Sequence, residues 1–360
     1  KSHNYVNMES YIFILGRDQE LSLLELINYL AKKNINFSVL DRWNNILVLN
    51  LDKENFNIND LGGIIKIAKV ELKTNNKDLI KEYLDKLEFN KDKVFYTSND
   101  DLINSYLKKI FKELKIKAYY KKFTFDPKLS NLDLELIRFK DYIAKVIQVS
   151  NPREYKKRDE NRPYFDEKRV ISIRLAKILI NISKAKKEVL DPFSGLGTIL
   201  QEALLLGLDV YGVDVSIKES EKNLEWFNEN FKINNKFKLF QGDARNLTKF
   251  INKAECCVTE PYLGPFLKSY PNEQQINNIL NELVPLYYKF FKELDKVIEK
   301  RIVIILPVFV SNTKKTFKIK INELIKNTRF KIANFSNVKL PLPYEHKKSI
   351  IKREIWVLDK

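Results

Sequence analysis

Three aspartates in the second half of the chain each follow a short apolar segment. Asp191 closes EVLD, Asp214 closes YGVD, and Asp243 lies in QGDA. These segments alternate with helical patterns, which is typical of an open, mostly parallel sheet. In such a sheet the carboxyl ends of the strands share one edge, and ligands bind there near the point where the strand order reverses. The sequence therefore predicts that the three carboxylates converge on one ligand.

The first aspartate opens a loop with two glycines, DPFSGLG. Because Gly195 and Gly197 lack a Cβ atom, backbone N–H groups there can approach a ligand closely. We predict that Asp214 accepts hydrogen bonds from ribose hydroxyls and Asp243 from an adenine amino group. A nicotinamide dinucleotide is the competing ligand, but its fingerprint needs a third Gly or Ala where Leu200 stands. Carboxylates that only cap helices are a further alternative.

The series favours S-adenosylmethionine as the cofactor. The predicted cofactor-binding residues follow the three strand ends and the loop between the first strand and its helix: Asp191, Phe193, Ser194, Gly195, Gly197, Thr198, Asp214, Val215, Asp243 and Ala244.

The next strand end leads into a second loop, VTEPYLG. Methylation of an exocyclic amine is difficult because the nitrogen lone pair is delocalised into the ring. A site must hold the amine in line with the methyl group and accept its hydrogens. Thr259 and Glu260 are the predicted acceptors, and Tyr262 is predicted to stack on an extruded base. With Pro261 these form the predicted catalytic set; the alternative is that Glu260-Pro261 is only a turn.

The pattern of apolar residues divides the chain into four segments. Strand and helix patterns alternate in the first two, whereas a polar stretch with two prolines precedes the βα repetition of the second half. We predict an α+β domain over residues 1–72, a second over 73–150, a linker over 151–169 and a Rossmann-like α/β domain over 170–360.

Basic residues are in excess throughout the chain. The net charge is +17, of which residues 1–165 carry +6 and the remainder +11. Such a charge suits a phosphate backbone, although a compositional bias toward Lys, Asn and Ile is the alternative. Aromatic residues are interleaved with a lysine-rich stretch that is predicted to face RNA, and a solvated helix face explains the stretch equally well. Its predicted contacts are Lys108, Lys112, Lys117, Lys121 and Lys122.

Other classes of protein receive no support from the composition. No apolar run is long enough to cross a bilayer, and the start has no apolar signal-peptide core. Cys256 and Cys257 are adjacent and cannot build a disulfide framework, and two histidines are too few for a His-based metal centre. A reducing cytoplasm is the expected setting. Met8 is the only methionine, and residues 1–7 are expected to lie outside the fold.

Together these motifs resemble the THUMP-domain tRNA guanine-N2 methyltransferases, which modify guanosine 10 of tRNA. ILGRDQELSLLEL and LGGIIKIA resemble the ferredoxin-like domain of that group, and the strands ending in YIAKVIQVS resemble its THUMP domain. KRDENRPYFD is similar to its RDxxRP linker. DPFSGLGT is similar to its cofactor loop, with Ser194 and Leu196 where Cys and Thr or Ser are more usual. PLPYEHKKSIIKREIWVL is similar to its closing hairpin.

The resemblance implies a class I S-adenosylmethionine-dependent methyltransferase domain preceded by ferredoxin-like and THUMP domains. It implies that the THUMP domain grips the acceptor end of tRNA, and it leaves room for an accessory subunit. We also expect Arg158 and Arg162 in the linker to contact RNA. The linker itself is expected to touch both domains or the cofactor cleft, and a structural hinge is the alternative.

One loop departs from the family pattern. The family has Asp-Pro-Pro-Tyr-Gly where this chain has Thr-Glu-Pro-Tyr-Leu-Gly. An acidic acceptor survives within one residue in either alignment. The favoured target is guanine N2 of guanosine 10. Methylation of rRNA or DNA, and an inactive tRNA-binding homologue with a degenerate loop, are the alternatives.

Overall fold

A computed structural model describes residues 8–127, 131–166, 170–345 and 349–360 of the chain. The expectation for residues 1–7 lies outside them, as do short parts of the predicted linker and closing hairpin. The helices are α1 (Gln19–Lys32), α2 (Lys77–Asp85), α3 (Asp101–Glu113), α4 (Pro152–Asn161), α5 (Ile173–Ser183), α6 (Thr198–Leu205), α7 (Lys218–Phe231), α8 (Glu273–Val297) and α9 (Ile321–Ile325), with 3₁₀ helices at Ile58–Asp60 and Ala244–Lys249.

The strands fall into two groups along the chain. The first eight are β1 (Glu9–Leu15), β2 (Phe37–Trp43), β3 (Ile46–Leu51), β4 (Ile64–Lys73), β5 (Lys93–Ser98), β6 (Lys117–Tyr120), β7 (Leu134–Phe139) and β8 (Tyr142–Val149). The others are β9 (Glu188–Asp191), β10 (Asp209–Asp214), β11 (Phe237–Gln241), β12 (Ala254–Thr259), β13 (Ile298–Val310), β14 (Thr316–Lys318), β15 (Lys331–Ile332), β16 (Leu342–Tyr344) and β17 (Lys352–Asp359).

The chain divides into two compact units. The first contains Lys1–Gln19 and Lys33–Glu154, and the second contains Glu20–Lys32 and Tyr155–Lys360. In the first unit all eight strands form one sheet, in the order β2-β3-β1-β4-β8-β7-β5-β6. The structure therefore differs from the boundary predicted near residue 72. The reason is that β4 is ten residues long and pairs antiparallel with β8, so one ladder joins both predicted domains.

Helix α1 belongs with the second unit, although it lies within the predicted first domain. Nine of its fourteen residues are buried, and two of these are polar groups with partners far along the chain. Glu25 accepts a hydrogen bond from Asn181 Nδ2 at 2.8 Å, and Asn28 Oδ1 accepts one from Arg301 Nη1 at 2.9 Å. Buried polar groups need such partners, and those of α1 lie on α5 and β13.

Ten residues of the predicted linker form a helix, α4. Its residues are almost all polar, and none is buried. Lys156 and Glu160 pair at 3.4 Å one turn apart, and Asn151 donates to Glu154 at its start. Such i,i+4 pairs stabilise exposed helices by roughly 0.2–0.5 kcal/mol each.

The second unit contains the predicted βα repetition. Its sheet has the order β11-β10-β9-β12-β13-β17-β15, with β14 on β13 and β16 on β17. The first five strands are parallel, whereas β17 runs antiparallel to β13. The prediction of a mostly parallel sheet closed by paired strands is confirmed. No helix of the described residues is long and apolar enough to cross a membrane.

Large apolar side chains of α8 hold the sheet from one face. Tyr287, Phe290, Phe291 and Leu294 are completely buried against strand residues such as Leu190. Burial of one such side chain contributes about 1.5–3 kcal/mol. This packing fixes the strands that carry the candidate site.

We predict that Arg301→Met destabilises the second unit. Arg301 is 8% exposed, donates to Asn28 and to the carbonyl of Ile182 at 2.9 Å, and forms a two-point ion pair with Asp359. Leaving buried acceptors without a donor should lower the free energy of unfolding by about 2 kcal/mol. Urea denaturation measures this. The exposed Arg329→Met should cost below about 1 kcal/mol; equal losses would contradict the assignment of α1 to this unit.

Candidate active site

The strand order of the second unit reverses between β9 and β12. From β9 the chain continues to β10 and β11 on one side, and β12 then adds to the other side. Asp191 ends β9 and Thr259 ends β12, and the Thr259 hydroxyl donates to Asp191 Oδ1 at 2.7 Å. Sheets of this kind bind ligands in the crevice at this position. The site predicted from the three aspartates therefore lies beside the reversal.

The glycine loop after β9 depends on backbone conformations that favour glycine. Gly195 has φ 49° and Gly197 has φ 83°, both in the left-handed region. Gly195 N donates to Asp214 Oδ2 at 2.9 Å, which joins this loop to the end of β10. Gly197 precedes α6, so free N–H groups at the start of that helix face the same edge. The loop and Asp214 come together as predicted.

A third glycine permits the loop to pack against β10. A Cβ atom on Gly212 would lie 2.6 Å from Leu239, 2.7 Å from Leu200 and 3.2 Å from the Ser194 Cβ atom. A larger residue here would force the side chains of Leu239 and Leu200 to shift, so the glycine of the YGVD segment has a packing function.

Asp243 lies at the same edge, but its carboxylate has a partner. Arg245 Nε lies 2.9 Å from Oδ1 and 3.0 Å from Oδ2 of Asp243. The hydrogen bonds from Arg245 hold the pKa of Asp243 below its usual value. A ligand amine at this carboxylate would share it with the guanidinium of Arg245, which the sequence analysis did not include.

Burial is the largest influence on the pKa of Asp191. The residue is 2% exposed, and loss of hydration raises the pKa of its carboxyl group to about 7. Hydrogen bonds from Thr259 and from Phe193 N oppose this rise, whereas the nearby charges of Asp214 and Glu260 add to it. A buried carboxylate among other carboxylates is a site that a cation would stabilise.

Residues from all these loops line one cleft of about 790 Å³. This volume is typical of a site for a small molecule or cofactor. The strand-end residues Phe193, Asp214 and Asp243 line one part of it, while Glu260 and Arg353 line another. A hollow of about 40 Å³ beside it is lined by Asp191, Phe193, Ser194, Gly195, Leu196, Thr198 and Glu260, among others.

Within the hollow the Ser194 hydroxyl is buried and has no hydrogen-bond partner among the described residues. Such an atom costs free energy unless a ligand or water satisfies it. Phe193, Val215 and Ala244, also predicted to bind the cofactor, line the larger cleft, and Val215 is 70% exposed there.

The predicted catalytic loop divides into a buried and an accessible part. Glu260 lines the cleft, and its Oε1 accepts from Arg353 Nε at 2.5 Å. Tyr262 is half exposed at the cleft, and its carbonyl accepts from the Tyr287 hydroxyl at 2.6 Å. Pro261 also lines the cleft. Glu260 and Tyr262 are therefore placed where a substrate could reach them.

Thr259 differs from its predicted role. It is completely buried, and its hydroxyl donates to Asp191 rather than pointing into the cleft. The interpretation of Thr259 as an acceptor for a substrate amine is therefore wrong, because the hydroxyl joins β12 to β9. Glu260 is the acidic group of this loop that faces the cleft.

Arg158 and Arg162 also differ from their predicted role as RNA contacts. Arg158 Nη2 lies 2.8 Å from Glu202, a carboxylate that is 1% exposed. Arg162 is 5% exposed, pairs with Asp159 at 2.8 Å and donates to Thr198 Oγ1 at 2.9 Å. A buried carboxylate needs a cation nearby, so the structure uses both guanidinium groups internally. Arg162 thereby attaches the linker to the start of α6.

In the first unit the structure separates the predicted RNA-facing lysines into two groups. Helix α3, which carries Lys108 and Lys112, covers the face of the sheet that contains Val94 and Tyr96. Because side chains alternate along a strand, Lys117 lies on the opposite face. The predicted lysines therefore do not share one face of the sheet.

The lysines of the second group surround a pair of aromatic rings. Phe95 stacks on Tyr119 with 5.1 Å between the ring centroids. Lys121 Nζ lies 5.2 Å from the centroid of Phe95, and Lys117 Nζ lies 5.7 Å from that of Tyr119. Lys93, which the sequence analysis did not single out, contacts both rings. Lys122 follows as an exposed residue.

Arg353 and Arg245 are the functional candidates that sequence reasoning missed. Arg353 is 93 residues from Glu260, and nothing in its local sequence predicts that pairing. Arg245 stands two residues after Asp243, where a basic residue beside a predicted carboxylate could have indicated the pair.

Comparison with known proteins places the chain among the methylases. The N6_N4_Mtase family, described as "DNA methylase", matches residues 7–225, which is more than half of the chain. The chain belongs to this family. The match contains β9, the glycine loop and β10, whose geometry is given above.

Curated relatives match shorter stretches of the methylase. A tRNA (guanine(10)-N2)-dimethyltransferase of Pyrococcus abyssi is 34% identical over 24% of this chain and 27% of its own length. The protein of the same name from Methanocaldococcus jannaschii is 30% identical over 39% of this chain and 42% of its own length. The methylase thus aligns with less than half the length of these relatives.

Among solved structures, TrmN from Thermus thermophilus has a TM-score of 0.52 at 13% identity, over 98% of this chain and 99% of that one, which shows a shared fold.

The raised pKa of Asp191 predicts a pH-dependent affinity for a cationic ligand. Below pH 7 the carboxyl group is largely protonated, whereas a bound cation favours its charged form. The affinity for S-adenosylmethionine should therefore increase about tenfold from pH 5.5 to pH 7, with release of a proton. Calorimetry in two buffers of different ionisation enthalpy measures both effects. Asp191→Asn should bind more weakly and without this slope; a flat profile for the unaltered protein would contradict the prediction.

Proposed function

We propose that this methylase transfers a methyl group from S-adenosylmethionine to an exocyclic amine of tRNA, guanine N2 of guanosine 10. The observation that carries the proposal is the position of Glu260. It follows β12 where the strand order reverses, next to β9 and the glycine loop, and it lines the same cleft as that loop. The names of the curated relatives supply the substrate and the target base.

The residues present fit the cofactor. Asp191 is a buried carboxylate whose ionised form a cation would stabilise, and the buried Ser194 hydroxyl is available as a donor or acceptor. Asp214, Asp243 and Ala244 border the larger cleft, where an adenosine would bind. S-Adenosylmethionine, when bound, supplies a methyl group on a cationic sulfur atom.

Glu260 has the central role toward the substrate. The exocyclic amine would form a bond to the methyl carbon as the bond from that carbon to sulfur breaks, and the methylated amine would then lose one proton, which an adjacent carboxylate can accept. Glu260 is the carboxylate of the catalytic loop that borders the cleft, and Pro261 and the Tyr287–Tyr262 hydrogen bond restrain the backbone after it. Tyr262, half exposed, would stack on a base turned out of the RNA helix.

A different nucleic acid is the second candidate substrate. The description of the matching family as "DNA methylase" favours DNA, whose adenine and cytosine bases carry exocyclic amines at N6 and N4, the two positions in the family name N6_N4_Mtase. An inactive tRNA-binding protein is the third candidate, because the loop lacks the usual Asp-Pro-Pro-Tyr sequence. Each candidate predicts a different pattern of methyl transfer.

We expect transfer of labelled methyl groups to unmodified tRNA, and we expect Glu260→Ala to reduce its rate about 100-fold or more, because the proton acceptor is lost. Binding of S-adenosylmethionine should change little. The assay uses tritiated S-adenosylmethionine with tRNA, rRNA and duplex DNA, followed by mass spectrometry of the nucleosides to locate the methyl group. Glu323→Ala, an exposed glutamate on α9, is the matched control.

The three candidates give distinct outcomes in this assay. Label in DNA or rRNA alone would replace tRNA as the substrate. Absence of label from every nucleic acid, with tRNA binding unchanged in Glu260→Ala, would support the inactive protein instead.

We further propose that the first unit binds tRNA through the lysine and aromatic cluster of Lys93, Phe95, Lys117, Tyr119 and Lys121. Aromatic faces stack on unpaired bases, and lysines neutralise phosphates beside them. The rings lie close together on one face of the sheet, and each has a lysine ammonium group within 6 Å of its centroid.

Reversal of three charges at this cluster should weaken tRNA binding and reduce its salt dependence. In Lys93→Glu/Lys117→Glu/Lys121→Glu we expect the slope of log K against log salt to fall by about two or more. Lys108→Glu/Lys109→Glu/Lys112→Glu on α3 changes the net charge equally and serves as the control. Filter binding over a range of salt concentrations distinguishes them. If the two variants change the slope equally, net charge alone explains binding and the cluster has no special role.

A further inference from the structure

Glu260 and Arg353 form an ion pair within the candidate active site. Arg353 Nε lies 2.5 Å from Glu260 Oε1, and the two side chains are only 12% and 18% exposed. Arg353 Nη1 also donates to the carbonyl of Ile351 at 3.3 Å. All three residues line the same cleft. The glutamate is therefore held by a partner that is itself fixed.

The fold gives Arg353 a rigid position. Strand β17, which begins one residue before it, pairs with β13 over eight residues, and Arg353 lies opposite Pro307 in that ladder. Strand β16 pairs with the other side, where Tyr344 lies opposite Arg353. A planar guanidinium on such a strand restricts the orientation of the carboxylate that it contacts.

The ion pair also determines which hydrogen bonds Glu260 can form. A carboxylate paired with arginine is ionised, and an ionised carboxylate only accepts hydrogen bonds. Arg353 occupies one position on Oε1, which leaves Oε2 and the second lone pair of Oε1 for a substrate. The Glu260 carboxylate thus presents acceptors on both of its oxygens and no donor.

Two acceptors match only one of the amine-bearing bases. On the Watson–Crick edge of guanine the N2 amine stands beside N1–H, so both positions donate. On the corresponding edges of adenine and cytosine the amine stands beside an unprotonated ring nitrogen, which would face a carboxylate oxygen with its lone pair. Enzymes commonly recognise an extruded base through this edge. Because a contact between two acceptors is unfavourable, a carboxylate at this position disfavours adenine and cytosine.

We propose that Arg353 is a positioning residue that fixes Glu260 as an acceptor-only group, so that the pocket selects guanine over adenine and cytosine. The inference rests on the proposed function, because it assumes that a base enters this cleft. It goes beyond that function by giving Arg353 a role in the choice of base.

An uncharged residue in place of Glu260 would predict the opposite choice of base. An amide in place of Glu260 could accept from an amine and donate to a ring nitrogen, which suits adenine, cytosine or 2-aminopurine. Charge balance also favours the observed pair, because Asp191 and Asp214 border the same site and add negative charge near Glu260. Arg353 offsets part of that charge at the acceptor itself.

The test compares guanosine with 2-aminopurine at position 10 of a tRNA. Both bases carry the same exocyclic amine, but N1 of 2-aminopurine accepts where N1–H of guanine donates. We expect kcat/KM for methyl transfer to favour guanosine about 30-fold, the effect of one lost hydrogen bond to a charged group. In Arg353→Gln and in Glu260→Gln this preference should fall to about threefold or less.

Further variants separate positioning from general damage. Arg353→Lys keeps the charge without the planar fork and should restore part of the preference. Lys352→Gln, on the same strand but outside the cleft, should retain the preference in full. Thermal unfolding of each variant verifies that it is folded. Arg353→Gln with the full preference for guanosine would overturn the proposal, as would an unaltered protein that uses both bases equally.

Equilibrium binding of the two RNAs distinguishes this inference from the proposed function. If neither RNA is methylated, the proposed function fails. Tighter binding of the guanosine RNA that disappears in Arg353→Gln would still support the selection of guanine. Equal binding of both RNAs would contradict it.

Discussion

The hydrogen bond between Thr259 and Asp191 joins the two strands at which the sheet of the second unit reverses its order. It places the glycine loop after β9 beside the Glu260 loop after β12, although the two loops are almost 70 residues apart. The cleft forms because helices leave these neighbouring strand ends in different directions. Every other feature of the candidate site is arranged around this pair of strands.

Electrostatics is the second constraint on the site. Asp191, Asp214, Asp243 and Glu260 lie near one another, and such a cluster is unfavourable unless cations compensate it. Arg245 and Arg353 each neutralise one member, while burial raises the pKa of Asp191 to about 7. The uncompensated part of the site is therefore the hollow beside Asp191, where a cationic ligand would be stabilised.

Buried charges also explain why two arginines of the linker contact other side chains of the protein instead of facing solvent. Glu202 is buried on α6, the helix that follows the glycine loop, and it needs the guanidinium of Arg158. Arg162 contacts Thr198 at the start of the same helix. The segment that resembles an RDxxRP motif thus stabilises the helix next to the glycine loop, which is a structural reason for its basic residues.

The amino-acid sequence by itself determined the alternation of strands and helices in the second unit, its mostly parallel sheet and the grouping of Asp191, Gly195 and Asp214. These features depend on local periodicity and on the rule that the carboxyl ends of parallel strands share one edge. Only the tertiary structure decided the joint sheet of residues 9–149, the attachment of α1 to the second unit, the burial of Thr259 and Arg162, and the pairing of Glu260 with Arg353. The physical reason is that side-chain partners and strand neighbours far apart in the chain leave no periodic trace in either segment.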